Sequence, residues 1–114
     1  MVHTDVPAEH GGRGECFSPP ELASAALGTC LMSVVAIVAE RNGLDVSKMN
    51  ADLTMEMTAS PASRIGSIKA VIRLPDAKDV SDAVRQKLEA AANACPVKNS
   101  LHPDINVSVE FIYG

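Results

Sequence analysis

The fold is decided by the stretch SPPELASAALGTCLMSVVAIVAERNG, which covers residues 18–43. Ser18 is suited to the N-cap of a helix, Pro19 fits the first helical position, and Glu21 completes a capping box. Gly43 provides a natural stop at the other end. The stretch therefore predicts one long helix of about 24 residues, or roughly 36 Å.

This helix is apolar almost all the way round, with no charged residue from Leu22 to Ala39. Its length approaches that of a membrane span, so a transmembrane helix is one alternative. Four small or polar residues dilute the run and favour a soluble protein: Ser24, Gly28, Thr29 and Ser33. A helix that is apolar all round is normally buried on every side, and the other predicted elements are too few to bury it. We therefore expect a homodimer with this helix at its centre.

The strands are indicated by alternation of apolar and polar residues. Residues 52–57 and 68–74 alternate in this way, with the turn-forming residues 60–63 between them as a hairpin connection. Residues 105–111 alternate again and predict a last strand.

A second helix is predicted between the second and third strands. Apolar residues recur on one helical face from Ser81 to Ala94, and Pro96 interrupts the pattern. The order of elements predicts one α+β domain over residues 1–114, with two main helices packed on a mainly antiparallel sheet. Residues 1–17 read as an irregular lead-in, because proline and glycine break any regular period there.

Composition excludes several classes of partner. The 114 residues carry a net charge of −4, and no basic patch is present, so nucleic acid and anionic membranes are not expected partners. The N-terminus lacks a basic segment followed by an apolar run, which predicts a cytoplasmic protein. His3, His10 and Cys16 match no zinc-binding spacing, so no metal or other cofactor is expected.

Two cysteines are the candidate reactive residues. Cys30 lies within the long helix, and an isolated cysteine there is more often a buried core thiol than a reactive one. Cys95 precedes Pro96, so if this proline opens a new helical turn, its N–H groups would favour a thiolate at Cys95. Thiols facing the core from two helices can meet, and a sulfenic acid on one then condenses with the other to a disulfide. Cys16 is interpreted as an exposed bystander.

Several motifs resemble those of the OsmC and organic hydroperoxide resistance (Ohr) proteins. They are SPPEL at 18–22, AALGTC at 25–30 and ACPVKNSL at 94–101, preceded by DVP at 5–7 and a glycine pair at 11–12. The resemblance implies an intertwined homodimer with active sites at the interface. It also implies that Cys30 attacks an organic hydroperoxide and that Cys95 resolves it as an intramolecular disulfide. A dithiol such as dihydrolipoamide would then reduce that disulfide.

The sequence departs from the family pattern at two points. The peroxidases of the family orient the thiolate with an Arg from an early strand and a Glu ten residues before the peroxidatic cysteine. Here that position is Pro20, and Glu21 suits the capping box better than catalysis. Relative to the family the chain begins late, so Arg13 in the lead-in is the candidate for the arginine.

The sequence and the family resemblance together lead to two expected functions. The first is a thiol-dependent peroxidase that reduces organic hydroperoxides, with Cys30, Cys95, Arg13 and Glu21 as candidate catalytic residues. The alternative is a non-catalytic OsmC-like stress protein, or a protein that binds a small hydrophobic ligand and has kept the fold without the reaction.

Overall fold

The long helix α1 spans Pro19–Arg41 in a computed structural model that describes residues 2–59 and 62–114. The predicted capping box is present: the Glu21 N–H donates to the Ser18 hydroxyl at 3.3 Å, and the Ser18 N–H donates to the Glu21 carboxylate at 3.0 Å. These reciprocal bonds satisfy N–H groups that the first turn of a helix otherwise leaves unpaired. The helix start read from the sequence is therefore confirmed.

The first two strands form an antiparallel pair. β1 spans Asn50–Thr58 and β2 spans Arg64–Leu74, with a register shift between Glu56 and Met57. Ser60 and Pro61, half of the predicted hairpin connection, lie outside the described residues. Along β2 the buried positions alternate, as a strand with one face against helices requires: Ile68, Ala70, Ile72 and Leu74.

The third strand corrects one expectation about the sheet. β3 spans Asn106–Tyr113 and pairs with β2 in parallel, so the order is β1-β2-β3 and the sheet is mixed rather than mainly antiparallel. The parallel pairing depends on the connection between β2 and β3, because two parallel strands need a crossover long enough to return the chain to the same end of the sheet. Two helices provide that crossover: α2 at Asp82–Asn93 and α3 at Pro96–Ser100.

The core lies between one face of α1 and the inner face of the sheet. Leu27, Leu31 and Val35 recur at helical spacing on this face and have no exposed surface. They pack with the inner residues of β2 and with Leu88 of α2 in one apolar cluster.

The opposite face of α1 is apolar but uncovered within this chain. Ala26, Thr29 and Ser33 are exposed, and Ile37 keeps 50% of its surface accessible. By length and composition alone the helix could also cross a membrane, and 33% of its most apolar window is buried here. The expectation that one chain cannot bury this helix is confirmed by these exposures, whereas the homodimer and the single domain over 1–114 stay predictions.

Candidate functional site

The first thiol is carried by the middle of α1. The Cys30 side chain is half-buried and packs against the core cluster, next to the uncovered face of the helix. Cys30 is therefore the more accessible of the two thiols near the core.

The second thiol begins the short helix α3. Cys95 is the N-cap residue of α3 and is fully buried, and its sulfur accepts a hydrogen bond from the Lys98 N–H at 3.5 Å. Pro96 occupies the first position of this helix, where the missing N–H costs nothing. The prediction that Pro96 opens a new helical turn behind Cys95 is confirmed.

The structure places the two thiols close enough for Cys30 to act on the pKa of Cys95. Burial raises the pKa of the Cys95 thiol above its ordinary value of 9.0, and the interaction with the Cys30 thiol acts in the same direction. The backbone N–H groups of Lys98 and Val97 lower this pKa, but they do not outweigh burial. The reduced pair is thus an uncharged, buried S–H at Cys95 beside a more accessible sulfur at Cys30.

The other two candidate catalytic residues do not join this pair within one chain. The Glu21 carboxylate is engaged at the N-terminus of α1, and the rise per helical residue separates it from Cys30 by about 13 Å along the axis. Arg13 is exposed in the lead-in, where its backbone N–H donates to Asp5 at 3.2 Å. Neither residue is among the groups that shift the pKa of Cys95.

The lead-in is organised by a residue that sequence reasoning missed. The Asp5 carboxylate accepts hydrogen bonds from the backbone N–H groups of Val6, Arg13 and Glu15, at 2.8, 3.2 and 3.2 Å. Aspartate commonly stabilises turns in this way, and the Asp-Val-Pro run followed by glycines was the available signal. Only the short 3₁₀ turn Ala8–His10 interrupts the irregular course of residues 2–17.

Two clefts lie at the N-terminal end of α1, away from the thiols. One, of about 330 Å³, separates α1 from β1; it is lined by Phe17, Glu21, Ser24, Ala25, Leu53 and Met55. The other, of about 520 Å³, lies between the lead-in and α1 and shares Glu21 and Met55 with the first. Neither Cys30 nor Cys95 lines these two clefts.

Cys16 and a possible metal site are the remaining candidates from the sequence. Cys16 is an exposed free thiol in the lead-in, as its interpretation as a bystander requires. Within residues 2–59 and 62–114, no three or more His, Cys, Asp or Glu side chains cluster in a way that would hold a metal ion.

These features define a class of small α+β proteins with two neighbouring thiols. One thiol lies on a long apolar helix, and the second caps a short helix beside a mixed three-stranded sheet. The chain belongs to the OsmC-like protein family, whose model matches residues 12–110.

The chain resembles two solved proteins in fold and a third protein in sequence, each over most of that protein's length. A solved protein of Psychrobacter arcticus, named for osmotic stress and detoxification responses, is 30% identical with a TM-score of 0.86; the match covers 96% of this chain and 77% of that one. The organic hydroperoxide resistance protein of Bacillus subtilis is 23% identical with a TM-score of 0.63, over 92% and 76% of the two chains. An uncharacterised protein of Acinetobacter baylyi is 26% identical over 97% of this chain and 77% of its own.

Proposed function

We propose that the protein is a thiol-dependent peroxidase that reduces organic hydroperoxides with Cys30 and Cys95. The observation that carries the proposal is the neighbouring pair of thiols, one half-buried and one fully buried. A peroxidatic sulfur must meet its substrate, whereas a resolving sulfur needs only to reach its partner. This difference assigns the attack to Cys30 and the resolution to Cys95. The hydroperoxide resistance named for the Bacillus subtilis relative supports the same substrate class.

The proposed cycle has three steps. The Cys30 thiolate attacks the outer oxygen of the hydroperoxide, the O–O bond breaks, and the alkoxide leaves as an alcohol after taking up a proton. The Cys95 thiolate then attacks the sulfur of the Cys30 sulfenic acid, forming the disulfide and releasing hydroxide, which leaves as water. A dithiol reductant such as dihydrolipoamide reduces the disulfide and becomes a disulfide itself.

The position of Cys95 supports the resolving role. The Lys98 N–H donates to the Cys95 sulfur at 3.5 Å, and Cys95 interacts with Cys30, so the second thiol is held beside the first. Arg13 and Glu21 lie away from the two thiols within one chain. A catalytic role for either residue therefore requires that the lead-in moves or that a second subunit brings the residue to the thiols.

The proposed active form is a homodimer in the cytoplasm. The uncovered apolar face of α1 adjoins Cys30, so a second copy seated there would also enclose the thiol. Exclusion of water beside Cys30 suits an apolar hydroperoxide better than hydrogen peroxide.

The proposal is tested by peptide mapping without reductant after one equivalent of cumene hydroperoxide is added to the fully reduced protein. We expect a Cys30–Cys95 crosslink that forms far faster than cumene hydroperoxide oxidises free cysteine. Cys16→Ser is the matched control and should behave like the unchanged protein, while Cys95→Ser should stop at the Cys30 sulfenic acid. Two thiols that stay reduced, or oxidation confined to Cys16, would instead favour the non-catalytic ligand-binding protein.

A further inference from the structure

The reduced pair of Cys30 and Cys95 offers two sulfur ligands at one place in the core. Cys30 packs against the apolar cluster that contains Cys95, and the two thiols lie close enough to interact. The sulfur of Cys95 is held in position by the Lys98 N–H, which donates to it at 3.5 Å. Thiolates are soft ligands and select soft metal ions. The pair is therefore a candidate metal site as well as a candidate redox site.

The number of ligands available beside this pair narrows the choice of metal. In the part of the chain that the structure describes, residues 2–59 and 62–114, no third His, Cys, Asp or Glu joins two others to form a metal-binding group. The remaining cysteine, Cys16, is exposed in the lead-in. Structural zinc sites and iron–sulfur clusters take about four protein ligands, and Mg²⁺ and Ca²⁺ take a shell of oxygens. The pair instead suits an ion that is stable with two sulfur ligands.

Burial limits the size of what can bind both sulfurs. Cys95 has no exposed surface, and Cys30 is half-buried. A ligand that bridges the two sulfurs must therefore enter past Cys30 and fit within an apolar cluster. A single bare ion meets this condition better than an organic group or a hydrated cation. Cu(I) is soft, needs no water ligands and forms linear complexes with two thiolates.

The charge of such a complex suits the hydrogen bond at Cys95. Binding of Cu(I) displaces one proton from each thiol to solvent and forms two Cu–S bonds, while copper stays Cu(I) and no electron is transferred. Two thiolates and one monovalent cation carry a single negative charge. The Lys98 N–H donates to one of these sulfurs, and a donor in that position stabilises a charged ligand and fixes its orientation.

We propose that the reduced pair of Cys30 and Cys95 is a two-coordinate binding site for Cu(I). Once Cys30 holds the ion, the bond to Cys95 forms within the same molecule, which favours the pair over monothiols in solution. The ion occupies the sulfur that the proposed peroxidase needs, so it competes with the hydroperoxide and is not a cofactor of the reaction. The site requires only that the two thiols meet in the reduced chain and does not depend on peroxidase activity.

The site is tested without oxygen or peroxide, on the full chain reduced with a phosphine and titrated with the Cu(I) complex of bicinchoninate. We expect the protein to take up one Cu(I) per chain, measured as loss of the visible absorbance of that complex. X-ray absorption at the copper edge should show two sulfur ligands. The bound ion should protect Cys30 from alkylation by iodoacetamide and leave Cys16 reactive. Zn(II) at the same concentration should not displace Cu(I).

The decisive variants are Cys30→Ser and Cys95→Ser, with Cys16→Ser as the matched control. Each of the first two removes one of the two ligands, so each should weaken Cu(I) binding by at least about a hundredfold, whereas Cys16→Ser should bind like the unchanged protein. Circular dichroism checks that the variants are folded, and the X-ray absorption and alkylation measurements need no variant. The proposal is overturned by absence of Cu(I) uptake, by unchanged affinity in Cys30→Ser or Cys95→Ser, or by a third protein ligand on the copper.

The result separates this site from the proposed peroxidase. Uptake of Cu(I) by a chain that forms no Cys30–Cys95 disulfide with cumene hydroperoxide would support the copper site and overturn the peroxidase. Disulfide formation in a chain that takes up no Cu(I) would overturn the copper site alone.

Discussion

The backbone N–H of Lys98 donates to the sulfur of Cys95 at 3.5 Å, so the sulfur that meets Cys30 also caps α3. One atom thus links the pair of thiols to the local structure of the next five residues. α3 is a single short helix with no buried residue of its own, so it depends on its cap more than a longer helix does.

Oxidation is therefore expected to loosen α3. In a Cys30–Cys95 disulfide the Cys95 sulfur turns towards a covalent partner, and its hydrogen bond with the Lys98 N–H is weakened or lost. Hydrogen exchange should become at least several-fold faster at Val97 and Lys98 after oxidation and stay unchanged across α2. Cys30→Ser treated with the same peroxide is the control. Equal protection of α3 in both redox states would contradict the expectation.

The pH dependence of the resolving step follows from the environment of Cys95. Burial, the largest cause, raises the pKa of this thiol above its ordinary value of 9.0. Since only the thiolate attacks, disulfide formation should rise about tenfold per pH unit at neutral pH and keep rising through pH 9. Quenched-flow mass spectrometry of the sulfenic acid and disulfide forms measures this rate. A plateau below pH 8 would show that the Cys95 pKa is not raised during turnover.

Gly28 sets the approach of α1 to β1. A Cβ at this position would lie 2.5 Å from Cδ1 of Leu53, so in Gly28→Ala the end of the half-buried Leu53 side chain must move, at a cost that offsets the helix-propensity gain of about 1 kcal/mol. We expect Gly28→Ala to change the free energy of unfolding little in the unchanged protein and to raise it by about 1 kcal/mol in a Leu53→Ala background. Urea denaturation of the four proteins of this cycle measures both effects. Equal effects of Gly28→Ala in the two backgrounds would contradict the close contact.

Sequence reasoning succeeded where the determinants are local. The capping box at Ser18 and the helical turn opened by Pro96 each depend on a few neighbouring residues, and both are present. The parallel pairing of β3 was missed because alternation along Asn106–Tyr113 is the same in either direction, and only the path of the crossover decides it. The close contact of Gly28 with Leu53 was beyond a single sequence, because it depends on how closely β1 approaches α1.

The uncovered face of α1 predicts self-association through Ile37. This side chain is 50% exposed on a helix face without charge, and burying such a face releases about 25 cal/mol per Å² of apolar surface. A lysine at this position would place an unpaired charge in the interface, so Ile37→Lys should dissociate the dimer at concentrations where the unchanged protein stays dimeric. Ile112→Lys is the matched control, since Ile112 is 39% exposed on β3, away from this face, and its replacement should leave the dimer intact. Light scattering during size-exclusion chromatography distinguishes the two states. The prediction would be contradicted by an unchanged protein that is monomeric. It would also be contradicted by a dimer that Ile112→Lys dissociates and Ile37→Lys leaves intact.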